Sequence, residues 1–359
     1  MPVVDIQLGD RSYPVHIGPD LLVDGNIWKP YLSTGNILIV SNDTVAPLYL
    51  DDLLITLGDI PSEALILPDG EKFKTMDQWS RVLDTLVEMR AGRDATLIAL
   101  GGGVIGDLGG FAAACYMRGI RYIQVPTTLL AQVDASVGGK TAINHPAGKN
   151  LVGTFYQPAL VIADTGTLST LPGREYRAGL AEVVKYGALM DNDLFTWLES
   201  NIDSIAGQDP ETVTTMVRRC VENKAQVVAA DERESGRRAL LNFGHSFGHG
   251  LEVLGAFEQL LHGEAVAIGM AIAARLSEQR GLCAPGTHQR ITTLLAAFGL
   301  PTSVPEPFDA SSLLEAMSLD KKNSSGTRRL ILLESIGQAR IDTGSSDEAI
   351  RQAIVDCNS

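Results

Sequence analysis

Short apolar runs rich in β-branched residues recur through the first half of this chain, at Asn36–Val40, Ala64–Leu67, Ala95–Leu100, Tyr122–Val125 and Leu160–Ala163. Helical patterns such as Met76–Arg90 stand between them. Strands that are apolar on both faces must be covered on both faces, so the alternation dictates an α/β domain whose mostly parallel sheet is layered with helices. After Leu171-Pro172-Gly173 the strand pattern almost vanishes. Glu175–Leu189, Pro210–Ala230, Leu240–Leu254, Gly263–Arg280 and Gln289–Phe298 carry helical periodicity with dense alanine or leucine, which predicts an all-helical second domain. At 359 residues the chain is long for one core, and the expected division is 1–172 for the sheet domain and 173–359 for the helical one. A late pair, Arg329–Glu334 and Gln338–Ile341 around Ser335-Ile336-Gly337, predicts a small hairpin.

Charge narrows the choice of partner. The net charge of −14 argues against nucleic acid and anionic membrane, which rely on a basic face. Hydrophobic residues at 45% and charged residues at 20% give the balance of an ordinary soluble globular protein, and no apolar run reaches transmembrane length. The opening residues, MPVVDIQLGDRSYPVHIG, alternate polar and apolar and are expected to form strands rather than a secretion signal. Cys115, Cys220, Cys283 and Cys357 lie far apart with no paired spacing, so neither a disulfide framework nor a thiolate zinc site is expected. A reducing cytoplasm fits this usage, and a small metabolite is the expected ligand.

One segment runs against the acidic background. Between Met117 and Lys149 the charged residues are Arg118, Arg121, Lys140 and Lys149 against the single acid Asp134, and Gly138, Gly139 and Gly148 allow close backbone approach. That combination suits a phosphate or carboxylate. Upstream, Gly101-Gly102-Gly103-Val104-Ile105-Gly106-Asp107 follows the run ATLIAL and precedes an apolar helical pattern, which matches the G-x-G-x-x-G arrangement whose backbone amides hold a pyrophosphate. This is not the first strand of the domain, and no acid closes a following strand about 20 residues on, so the motif predicts a Rossmann-like nucleotide site of a different layout. Tight helix-against-strand packing by glycine is the competing explanation.

Three of the six histidines cluster in the helical half. His245 and His249 stand four apart on one helix face, His262 precedes Gly263-Glu264, and Glu182 lies three residues before Lys185 on another helix. Nitrogen donors with a carboxylate suit a zinc ion that keeps a position open for substrate. Spacing alone nominates both His245 and His249 as ligands, and it leaves the roles within the cluster open. Arg237, Arg238 and Glu234 precede this segment, and Asp320-Lys321-Lys322-Asn323 follows a later apolar helix. Each is either a solvated charge run or further cation for a phosphorylated substrate in a cleft between the domains.

These motifs together resemble the 3-dehydroquinate synthase family over nearly the whole chain: PDGEKFK at 68–74, GGGVIGDLGGFAAACYMRG at 101–119, VPTTLLAQVDASVGGKTAINHPAGKN at 125–150, AGLAEVVKYG at 178–187, RALLNFGHSFGHGLE at 238–252 and HGEAVAIGM at 262–270. The resemblance implies Glu182, His245 and His262 as ligands of zinc or cobalt, with His249 a catalytic, substrate-contacting residue instead. It implies substrate contacts at Arg118, Asp134, Lys140, Asn150, Lys185, Lys224, Arg238, Asn242 and one of Lys321 or Lys322, the second preferred, and Glu234 as an acid–base group. Catalytic roles fall to Lys140, Lys185, Arg238, Asn242, His249 and Glu234. For NAD it implies Asn42, where relatives carry aspartate, then Glu71, Lys74, Gly102, Gly103, Val104, Asp107, Thr127, Thr128 and Lys149, and finally Thr167, Leu168, Ser169 and Thr170.

The chemistry implied by that resemblance converts 3-deoxy-D-arabino-heptulosonate 7-phosphate to 3-dehydroquinate and phosphate within aromatic amino acid biosynthesis. Hydride leaves C5 for NAD, the resulting ketone acidifies the C6 hydrogen, and phosphate departs. Return of the hydride, ring opening and aldol closure finish the cycle, and the substrate's own phosphate can accept the C6 proton. Lys140, Lys185 and Arg238 are expected to converge on one substrate without supporting the fold. A homodimer is the implied assembly. The rivals are other sugar-phosphate cyclases, which make valiolone-type or deoxyinosose rings, and metal-dependent polyol dehydrogenases, which release NADH.

Overall fold

The computed structural model describes the chain except residues 33–34, 235, 257–258, 322–327 and 358–359, and except the side chains of 318–321. Eleven strands are described: β1 Val3–Ile6, β2 Tyr13–Gly18, β3 Ile37–Asn42, β4 Ser62–Leu67, β5 Thr96–Gly101, β6 Arg121–Pro126, β7 Lys140–His145, β8 Gly148–Phe155, β9 Leu160–Asp164, β10 Leu330–Ser335 and β11 Gln338–Asp342. Two compact units account for them. The first comprises Met1–Leu171 with Val213–Arg233, and the second Pro172–Thr212 with Glu234–Ser359. The helical half is therefore not one unbroken unit from residue 173, as the sequence suggested. Most of the helix Pro210–Ala230 belongs with the sheet, because Lys224 on it binds Asp134, and Glu232 just beyond it binds Arg11 and Gln157.

The first unit is a seven-stranded sheet in the order β1-β2-β9-β6-β5-β3-β4, parallel except for the β1–β2 pair. Alternate residues of the central strands go to opposite layers, as strand pleating requires. Leu38, Val40, Leu97 and Ala99 pack with Ile105 and Leu108 of the helix Gly103–Cys115, whereas Ile37, Ile39, Ile98 and Leu100 pack with Leu53 and Leu57 of the helix Ala46–Leu57. So the chain leaves β3 toward one face and β5 toward the other, although the two strands are neighbours. A crevice opens where connections diverge in this way, beyond the carboxyl ends of β3 and β5 at Asn42 and Gly101. β7 and β8 form a separate antiparallel hairpin.

The second unit is helical, with the β10–β11 hairpin at 330–342. Three of its helices touch almost backbone to backbone. A Cβ on Gly263 would overlap the Ala178 carbonyl oxygen, one on Gly269 would overlap the Gly244 carbonyl oxygen, and one on Gly248 would sit 3.2 Å from the Ala265 backbone. These contacts clamp the helices Gly173–Met190, His245–Leu254 and His262–Gln279 together. Where the sequence predicts one helix over 240–254, the structure has a 3-10 helix Arg237–Asn242 and then a break at Gly244, whose φ is 82°. That left-handed turn is open to glycine at little cost. Among the described residues no helix is long and apolar enough to cross a membrane.

Candidate functional site

The glycine contacts of the second unit bring three predicted donors together. Glu182 lies one helical turn beyond Ala178, and His262 sits beside the Gly263 that touches it. The Glu182 Oε1 atom is 3.6 Å from His245 Nε2 and 3.8 Å from His262 Nε2, and the three donor atoms fall within 4.8 Å of one another. The carboxylate is fully buried, and apart from the ion pair that Lys185 forms with Oε2 neither oxygen has a hydrogen-bond partner among the described residues. One ammonium answers the charge of a buried carboxylate but leaves most of its lone pairs unanswered, which is costly in an interior. A divalent cation with nitrogen and oxygen ligands fits this donor set.

The break at Gly244 serves the same cluster. It exposes the Phe243 carbonyl, which faces His245 Nδ1 at 3.2 Å, so the Nδ1–H is used there and Nε2 is turned toward Glu182. Burial, and then Lys185, His262 and His249, push His245 well below the usual histidine range, which keeps it in the neutral form that binds metals. His249 is exposed, with its ring 5.5 Å from that of His245 and 6.2 Å from that of His262. It belongs to a second trio of close donors, with Glu252 and His262.

In the first unit several predicted nucleotide residues stand at or just beyond the carboxyl ends of parallel strands: Asn42 on β3, Gly102 after β5, Thr127 after β6 and Thr167 after β9. Gly102 precedes the helix Gly103–Cys115 in extended conformation, and no side chain caps that helix, so its first-turn amides are aimed outward. Glycine packing explains part of the motif, since a Cβ on Gly106 would overlap the Gln124 side chain. It does not explain Gly103, where a Cβ would make only an ordinary 3.6 Å contact with Ala135. An uncapped helix end behind a backbone without side chains fits a pyrophosphate. Thr128 lies against Gly102, and Thr127 donates its amide to the Gly101 carbonyl at 3.0 Å.

Beside this loop, the buried Lys74 ammonium bridges Asp107, with which it forms an ion pair, and Asn150 Oδ1 at 2.6 Å. Burial pushes the Asp107 carboxyl up, and Lys74 opposes that shift. Asn144, which the sequence did not single out, ties the group together by donating to Glu71 Oε1 at 2.7 Å and accepting from the Asn150 amide at 2.9 Å. Asn42 is buried with its side chain engaged, accepting from the Val45 amide at 2.8 Å and donating to Asp69 Oδ1 at 2.6 Å. In the 3-10 helix Thr165–Thr170, Thr167 donates to the Asp164 carbonyl, Leu168 is buried, Ser169 donates to the Gly166 carbonyl and Thr170 meets Tyr49.

The remaining predicted residues divide between the units. In the first, Lys224 holds both the Asp134 carboxylate at 2.8 Å and its carbonyl at 2.6 Å, Lys140 is exposed on β7, Lys149 is half-buried, and Arg118 is exposed with φ at 66°. In the second, Asn242 donates to Glu234 Oε1 at 3.0 Å. Lys185 and Arg238 are each only 1% exposed, so the expectation that these cations are indifferent to the fold holds for neither. Lys322 lies outside the described residues. Glu252 is the other group the sequence reading passed over, and its signal was the spacing His245, His249, Glu252, which repeats at four and three residues along one helical stripe.

Two family models match consecutive parts of the chain, "3-dehydroquinate synthase N-terminal" over residues 64–178 and "3-dehydroquinate synthase C-terminal" over 179–323. The 3-dehydroquinate synthase of Methylococcus capsulatus is 49% identical over 357 residues and is covered to 99%, as is this chain. Among solved structures, the 2-epi-5-epi-valiolone synthase of Streptomyces hygroscopicus subsp. jinggangensis 5008, with NAD+ and Zn2+ bound, superposes with a TM-score of 0.90 at 31% identity over 98% of each chain. A 2-deoxy-scyllo-inosose synthase complexed with carbaglucose-6-phosphate, NAD+ and Co2+ superposes with a TM-score of 0.89 at 27% identity over 99% of each chain.

Proposed function

Since this chain belongs to the 3-dehydroquinate synthase family and is a lyase with that activity in the shikimate pathway, we propose that it acts on 3-deoxy-D-arabino-heptulosonate 7-phosphate with NAD and a divalent cation as cofactors. Support comes above all from the buried Glu182 carboxylate, whose Oε1 has no hydrogen-bond partner and faces two imidazoles, in a chain about half identical to 3-dehydroquinate synthases along its length. Glu182, His245 and His262 would hold the cation, and the amides at Gly102, Gly103 and Val104, with Lys74 and Asp107 beside them, would hold the dinucleotide. When bound, the dinucleotide supplies a hydride acceptor and donor, and the cation supplies a Lewis acid for hydroxyl and ketone oxygens.

The chain's own groups then bind, orient and move protons. Lys140 and Arg238 bind the anionic ends of the substrate by charge-assisted hydrogen bonds, and Lys185, paired with Glu182, presents its ammonium beside the reacting oxygens. Asp134 fixes Lys224 in place, so that a flexible cation becomes a directed one. Asn242 orients Glu234 for acid–base work, and the exposed imidazole of His249 can take or give a proton without competing for the cation. A dinucleotide that both accepted and returned the hydride would be recycled, with no net redox change.

Recycling sets the decisive assay. With substoichiometric NAD, phosphate and ring product are expected in many-fold excess over NAD with no net NADH, whereas NADH accumulating in step with product would identify a dehydrogenase and overturn the reading. Metal analysis of purified variants checks the ligand set: His245→Ala is expected to lose its zinc, and His249→Ala to keep it while losing turnover. Equal zinc loss from the two variants would reject the assignment.

A further inference from the structure

Of the three proposed ligands, His262 is the most exposed. It is the first residue of its helix and its side chain is 36% exposed, whereas Glu182 is buried and His245 is pinned through the Phe243 carbonyl. What faces its other ring nitrogen is Glu252, a carboxylate only 5% exposed, whose Oε1 lies 3.4 Å from His262 Nδ1 while Nε2 of the same ring is directed at Glu182. A carboxylate buried to that degree is costly unless a donor or cation meets it. The His262 imidazole is such a donor only when Nδ1 carries the proton, and that tautomer leaves Nε2 with its lone pair toward Glu182.

We propose that Glu252 is a positioning residue which, by accepting the Nδ1–H of His262, fixes that ring's tautomer and orientation and so governs how tightly the divalent cation is retained. The helix makes this possible: Glu252 lies seven residues beyond His245, on the same stripe, so one rigid element carries both a ligand and the brace of a second ligand. A carboxylate behind a metal-binding histidine raises the basicity of the ligating nitrogen and removes the entropic cost of orienting the ring. Glu252 is thus an orienting group in this chain, and the inference rests on Glu182, His245 and His262 being the ligands.

The test is Co2+ affinity of the full-length protein, measured by competition with a chromogenic chelator, together with metal stoichiometry and the melting temperature of the metal-stripped form. Glu252→Ala is expected to bind one Co2+ per chain about 10- to 100-fold more weakly. Glu252→Gln, which keeps an acceptor oxygen and the same shape, is expected to recover part of that loss. The proposal is overturned if both variants bind Co2+ as tightly as the wild type, even where the stripped protein melts lower, because the role is then structural alone. It is also overturned if the wild type binds two Co2+ and both Glu252→Ala and His249→Ala bind one, since Glu252 would then ligate a second cation with His249 and His262. His245→Ala retaining full affinity would instead overturn the ligand assignment beneath it.

Discussion

Gly263→Ala should cost this protein most of its metal and a measurable part of its stability. The added methyl would overlap the Ala178 carbonyl oxygen, which is backbone and cannot rotate aside. Overpacking a tight contact costs about 1–3 kcal/mol, and relief here requires two helices to move apart. Those helices carry Glu182 and His262, so the movement separates two donors now 3.8 Å apart. Metal affinity should fall at least about tenfold, the scale on which loss of a supporting contact weakens such sites. Gly173→Ala is the matched control, because its Cβ would meet only the terminal Nη1 of the flexible Arg177, at 3.3 Å. If Gly263→Ala and Gly173→Ala show the same metal content and melting temperature, the helix clamp is not what assembles the site.

Lys74→Met is expected to be the most damaging single change in the first unit. Asp107 has a fifth of its side chain exposed and is already pushed up by burial, so removing its cation leaves a carboxylate with little to compensate it. Breaking such a pair costs about 3 kcal/mol, the lower end of the range for buried pairs because some solvent reaches Asp107. The pH dependence has a definite sign. A carboxyl whose folded-state value is raised binds more protons folded than unfolded, so stability falls as pH rises from the unfolded aspartate value to the folded one. In the variant that window extends upward, and the gap to wild type should widen as pH rises above the unfolded aspartate value of about 4. Denaturation midpoints across that range test it, and a gap independent of pH would remove Asp107 from the account. Equilibrium dialysis with NAD should show weaker binding as well, since Lys74 also holds Asn150.

The sheet was legible because strands covered on both faces must be apolar on both, so the predicted runs of β3, β5, β6 and β9 emerge, and the apolar run of the half-exposed edge strand β4 emerges with them. The β7–β8 hairpin was not, since the segment that forms it carries lysines, asparagines and glycines where alternation would otherwise show. The helix break at Gly244 was hidden for a related reason. Periodicity reports which faces are buried and continues through a single left-handed residue. Spacing likewise puts His245 and His249 on one face without saying which of their nitrogens has a backbone carbonyl behind it, and only the fold supplies Phe243 to the first. Glu252 escaped notice because an acid on a helix reads as solvated until the packing that buries it is known.

The chain passes from one unit to the other three times, after Leu171, Thr212 and Arg233. During synthesis the sheet strands all leave the ribosome well before the Val213–Arg233 segment that completes their unit. A nascent chain stalled just past Pro172 therefore holds Asp134 without Lys224, and Arg11 without Glu232. The first unit thus cannot be made complete by a single cut at the apparent boundary, and a gene split there should yield pieces that regain it only when both are made together.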